Sequence, residues 1–171
     1  MAGGRSGRDL FNSIGKFGHI IATEVTYGEN GWHPHFHILL FLNNSVNIKD
    51  CRLAISKVWQ KACVSKGLPE PSLDYGVDLR GGDKAYDYVS KWGLEDEMTK
   101  GHTKKGKEGG LTPFDLLRQS VENPEYEKLF QQFAISFKGK RQLMWSRGLK
   151  AALGIFEQSD EELAEETEKT S

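Results

Sequence analysis

Hydrophobic and polar positions alternate through residues 24–43, EVTYGENGWHPHFHILLFLN. A period of two marks β-strands with one covered face, because successive side chains point to opposite sides of a sheet. The stretch divides at residues 28–31, GENG, and Asn-Gly is among the strongest short hairpin signals. His33, His35 and His37 therefore share a face of the second strand. With Glu29 and Asn30 as the loop, Glu24 stands opposite His35; with Asn30 and Gly31 as the loop, it stands opposite His37. Both registers keep Glu24 on the histidine face, since a shift of two residues does not change the face. Ile21, Val25 and Tyr27 then join Trp32, Phe36 and Ile38 on a core face. Two or three imidazoles and a carboxylate converge on the other side. Such a set suits Mn²⁺, Fe²⁺, Zn²⁺ or Mg²⁺ with coordination positions left open. The competing reading is a half-exposed strand whose histidines are incidental.

The remaining pattern is mixed. Residues 1–8 are glycine-rich and read as disordered, and residues 9–16 as the end of a helix stopped by Gly18. Ser45 or Asn47 can cap a helix running to about Ser65, with Leu53, Val58 and Ala62 as its buried stripe and Gly67 and Pro69 beyond it. A short strand is expected over residues 75–80, where Val77 and Leu79 flank Asp78. Asp83 is a reasonable cap for a helix over residues 84–92. Thr112-Pro113 and Asn123-Pro124 both carry the cap-then-proline signature of a helix start. The second of these leads into a helix presenting Phe130, Phe133 and Phe137 on one face. RQLMWS, residues 141–146, reads as the last strand. The whole predicts an α+β fold: a mainly antiparallel sheet carrying the His-x-His hairpin, with helices packed on one face.

The helix over residues 84–92, KAYDYVSKW, holds a second candidate reactive group. Tyr88 and Lys91 are three apart and share a face, with Lys84 one turn before. Ammonium groups beside a phenol favour its ionised form, which makes a usable nucleophile. The plainer alternative makes Tyr88 a core aromatic and pairs Lys91 with Asp87. Downstream, residues 100–110, KGHTKKGKEGG, form a basic glycine-rich loop. With Lys84 and Trp92, its Lys100, Lys104, Lys105 and Lys107 are candidates to grip a nucleic-acid strand.

Composition narrows the class. The 171 residues are 27% charged and 37% hydrophobic, enough for one domain with a real core. A net charge of −1 conceals an asymmetry. Residues 157–171 carry seven acids and one base; without them the chain's 23 basic and 24 acidic residues become 22 and 17, a net of +5. Residues 1–156 thus read as one mildly basic domain and 157–171 as an acidic tail. No apolar run reaches the ~20 residues that span a bilayer, so no membrane partner is expected. Cys51 and Cys63 lie twelve positions apart on one predicted helix and cannot bridge, which fits small core residues in a reducing cytoplasm.

HPHFHILLFL resembles the His-hydrophobe-His motif of HUH endonucleases, and Tyr88-Val-Ser-Lys91 resembles the YxxK motif that follows it. EVTYGENGWHPHFH, YVSKW, LTPFDLL and KGKRQLMWSRGLK together resemble replication initiators of bacterial rolling-circle plasmids, over about residues 18–153. The resemblance implies a divalent metal, Mg²⁺ or Mn²⁺, on His35, His37 and Glu24, with His33 as a possible additional contact. It implies Tyr88 as nucleophile, helped by Lys91, in origin-specific nicking of single-stranded or extruded origin DNA. The products would be a 5′-phosphotyrosine and a free 3′-OH, used with host helicase and polymerase. Family members usually carry a further N-terminal strand, so an N-terminally shortened member is expected. Some place a glutamate where this chain has Lys84, which leaves termination chemistry unassigned. A single-tyrosine transposase of the same superfamily and a non-catalytic DNA-binding remnant are the neighbouring readings.

Overall fold

A computed structural model describes residues 5–82 and 110–155. Among these residues the fold is α+β, with a three-stranded antiparallel sheet and several helices. Helix α1 (Arg5–Ser13) precedes the long strands β1 (Lys16–Gly28) and β2 (Gly31–Leu42), and α2 (Ile48–Val64) follows them. After the undescribed stretch come α3 (Pro113–Gln119), α4 (Pro124–Phe137), β3 (Leu143–Trp145) and the single-turn α5 (Leu149–Ala152). The spatial strand order is β2-β1-β3. No described helix is long and apolar enough to cross a membrane.

The register follows from the turn. Gly28 faces Gly31, so Glu29 and Asn30 are the loop, and Glu24 lies directly opposite His35. Gly31 sits at φ +85°, a conformation that glycine adopts without strain. At the other end of β1 the pairing slips between Lys16 and Gly18, leaving Phe17 edge-on to Phe41 with ring centroids 5.9 Å apart. Pro34 fits β2's place at the border of the described sheet, because proline cannot donate to a ladder on both sides.

The two sheet faces are covered differently. Trp59 of α2 meets Phe36 edge-on at 6.1 Å, and Phe133 of α4 stacks on Trp32 at 6.4 Å. Both helices therefore lie on the face opposite the histidines. Phe130 joins Phe114 of α3 to Phe133, and Phe133 stacks on Phe137, so the expected phenylalanine face is an aromatic seam between helices and sheet. The expectation that all helices pack on one face needs correction. Leu149 of α5 lies over Gly18, whose Cα faces the histidine side at its far end. A Cβ at Gly18 would come within 2.4 Å of the Leu149 Cδ1 atom. Leu149, Leu116, Ile20 and Ile21 are the most buried aliphatic side chains of the described core.

Helix ends follow their capping chemistry. The Asn47 side chain accepts hydrogen bonds from the Lys49 and Asp50 amides, and Asn123 accepts from the Glu125 amide. At α3, Thr112 and Asp115 form a reciprocal capping box, and Asp115 also binds Arg118.

Four further expectations differ from the structure. Helix α1 begins at Arg5, inside the stretch expected to be disordered, and it ends before Gly15 at φ +68° rather than at Gly18. In α2 the buried residues are Cys51, Ser56 and Cys63, while Leu53 is exposed. Leu53 is turned about 140° from Val58 on a helix of 3.6 residues per turn, so one stripe cannot hold both. Residues 75–80 form no strand. The chain just before them is tied back to α2, with Arg52 donating to the Leu73 and Asp74 carbonyls and Gln60 to the Pro71 carbonyl. The last strand is shorter than expected, because only Leu143–Trp145 pairs with β1.

Candidate metal-binding face

The period of two and the Gly28–Gly31 turn place Glu24, His33, His35 and His37 on one sheet face. Thr26 lies opposite His33 and Ala22 opposite His37, so a small side chain leaves room beside the last imidazole. The Glu24 carboxylate does not bond to the residue opposite it. It reaches the diagonal neighbour, with Oε2 2.9 Å from Nε2 of His37, and both side chains are partly exposed. His35 stands between the other two imidazoles: its ring centroid is 4.7 Å from that of His33 and 6.0 Å from that of His37, both edge-on. Burial lowers the His35 pKa below the ordinary histidine value, and His33 and His37 lower it further, while the Glu24 charge opposes them. His35 is thereby kept neutral at neutral pH, the form that can donate a lone pair to a metal.

Among the described residues, no three His, Cys, Asp or Glu side chains are gathered closely enough to hold a metal ion. The donor types suit a divalent ion, and one pair of them, Glu24 and His37, has its donor atoms in contact. Two adjacent ligands at ~2.1 Å from an octahedral ion such as Mg²⁺ stand about 3 Å apart. That is the separation of the Glu24 and His37 donor atoms, 2.9 Å. The Glu24–His37 contact occupies the place a cation would take, with the His35 ring next to that of His37.

Tyr88, Lys91, Lys84, Trp92, Lys100, Lys104, Lys105 and Lys107 lie outside the described residues, as does the acidic tail. The structure therefore brings together only the β1–β2 part of the expected site. It also adds residues the sequence pattern did not assign. Leu143 pairs with Ala22 and Trp145 with Ile20, so both share the face of Glu24 and the histidines. The alternation of Leu143, Met144 and Trp145 carried that signal, but only the strand order could say which face it served.

Both cysteines are buried and free, and burial raises their pKa values, which suits packing rather than reactivity. Compared with known proteins, the chain matches no family model, no curated protein and no solved structure.

Proposed function

We propose that the chain is a metal-dependent, single-strand DNA nicking enzyme of the HUH type, acting as a rolling-circle plasmid replication initiator. The observation that carries this reading is the Glu24–His37 donor pair at ligand–ligand separation, 2.9 Å, with neutral His35 beside it on the same face. Glu24, His35 and His37 would hold Mg²⁺ or Mn²⁺, and His33 would flank them. When bound, the ion polarises the scissile phosphate and stabilises charge as the phosphodiester is attacked. The rigid strand pair orients the imidazoles, and the charge of Glu24 draws the cation to them. Tyr88 is the proposed nucleophile, with Lys91 favouring its ionised oxygen. Attack on phosphorus forms the 5′-phosphotyrosine and releases the 3′-oxygen as a hydroxyl for a polymerase to extend.

Tyr88→Phe removes the attacking oxygen and keeps the ring, so cleavage should be lost while single-strand binding survives; Tyr86→Phe should cleave. A labelled single-stranded origin oligonucleotide, incubated with Mn²⁺ and followed by peptide mass mapping, reads the covalent adduct directly. An adduct on Tyr86, or full nicking by Tyr88→Phe, overturns the assignment. The hydrogen bond already closed between Glu24 and His37 favours a second reading, a DNA-binding remnant without catalysis. A folded, Mn²⁺-loaded parent that binds the oligonucleotide and leaves it intact would establish that remnant.

A further inference from the structure

Lys138–Lys150 reads KGKRQLMWSRGLK, five cations and no acid in thirteen residues. It forms the connection from α4 into β3 and on into α5. Lys138, Lys140, Arg141 and Arg147 are all exposed. At the centre of the segment is Trp145, which pairs with Ile20 and so stands on the same face as Glu24 and the histidines. The Lys150 ammonium lies 5.8 Å from the centre of the Trp145 ring. Among the described residues this indole is only partly covered, and it stacks on no other aromatic ring.

Sheet geometry fixes its relation to the candidate metal site. Trp145 is two strands across from His37 and two residues along from Ala22, the partner of His37. Spacings of ~4.8 Å between strands and ~3.3 Å per residue put the two Cα atoms roughly 12 Å apart on one face. That is the rise of roughly three or four stacked nucleotides, at ~3.4 Å each.

We infer that Trp145, with the cations around it, is a nucleobase-stacking platform. It holds a base of single-stranded nucleic acid a few nucleotides from the Glu24–His37 site. The occupant follows from charge and shape. Exposed guanidinium and ammonium groups before and after the indole in the chain match a polyanion whose unstacked bases offer π-faces. A cation near the ring is the arrangement that also supports a stacked base through cation–π attraction. Paired bases are stacked on one another in a duplex and cannot reach the indole. The inference rests on the nicking reading for the identity of the strand, but not for the contact itself.

The test irradiates the full-length protein with a short single-stranded oligonucleotide carrying 5-iododeoxyuridine, and maps the cross-linked peptide. The cross-link is expected at Trp145. Trp145→Ala should weaken single-strand binding about 5- to 150-fold, the worth of one stacked base, and Trp145→Phe by less. Binding of the same sequence as a duplex should be unchanged in both variants. Cross-links confined to other residues overturn the inference, as does a folded Trp145→Ala protein that binds the single strand as tightly as the parent. Should Trp145→Ala fail to fold, the parent cross-link and Trp145→Phe decide it. A parent that cross-links at Trp145 but never nicks supports the platform and sinks the nicking reading. A parent that nicks without touching Trp145 does the reverse.

Discussion

Glu24 Oε2 and His37 Nε2 stand in contact at 2.9 Å, and a cation can enter between them only by breaking that contact. That exchange defines the first residue-scale test. At Mn²⁺ a hundredfold above its Kd the parent should gain ~2.7 kcal/mol of stability, seen as a rise in Tm. The His35→Ala, His37→Ala double variant should show no such rise, and a variant that binds Mn²⁺ like the parent in calorimetry would place the metal elsewhere. His19 offers a second test, away from the site. Burial lowers its pKa below 6.5, and Lys16 lowers it further, with its Nζ 3.2 Å from the His19 Nδ1 atom. The unfolded chain therefore binds more protons here than the folded one, and stability rises with pH through this range. It is lost as pH falls through about 6.5 toward the lower folded value. His35 shifts in the same direction, so His19→Gln should narrow, without abolishing, the gap between urea midpoints measured at about pH 5 and about pH 7.5. An unchanged gap would mean that His19 titrates alike in both states.

Elements were legible where local chemistry decides them. Thr112 and Asn123 could be named as caps, and Asn47 or Ser45 for α2, because a side-chain oxygen placed before a run of orphan amides is a local matter. The hairpin and its histidine face were equally local, while the choice between its two possible loops came only with the structure. Residues 75–80 alternate like a strand, yet alternation alone does not supply a pairing partner, and the chain just before them is tied to α2 by Arg52 and Gln60 at Pro71, Leu73 and Asp74. Gly18 is the clearest long-range case. Nothing near it in sequence shows that it faces Leu149, 131 positions away, and its role is closeness of approach rather than helix termination. Gly18→Ala would drive a methyl to 2.4 Å from the Leu149 Cδ1 atom. It should cost ~1–3 kcal/mol, the range for overpacking a filled core, read as a lower urea midpoint. Pairing it with Leu149→Ala should recover part of that loss if the clash is the cause.

Across the whole molecule, the candidate site divides between strands of unequal standing. The carboxylate is on β1, hydrogen-bonded on both sides by β2 and β3, whereas all three imidazoles are on β2, at the border of the described sheet. The histidine pattern showed which residues share a face, but the order β2-β1-β3 depends on a pairing between residues more than a hundred positions apart, beyond the reach of local alternation. That order makes the site a measure of its own strand's attachment. Each time β2 peels away, its histidines leave Glu24 behind on the sheet, so an ion held by both strands acts as a clasp across the hairpin. Native-state amide exchange should then report the ion: with Mn²⁺ present, exchange of the β2 amides slows while that of the β3 amides stays as it was. Equal slowing everywhere would mean that the ion stabilises the fold globally. A response confined to β2 would make one border strand of the described sheet the part whose order depends on its cargo.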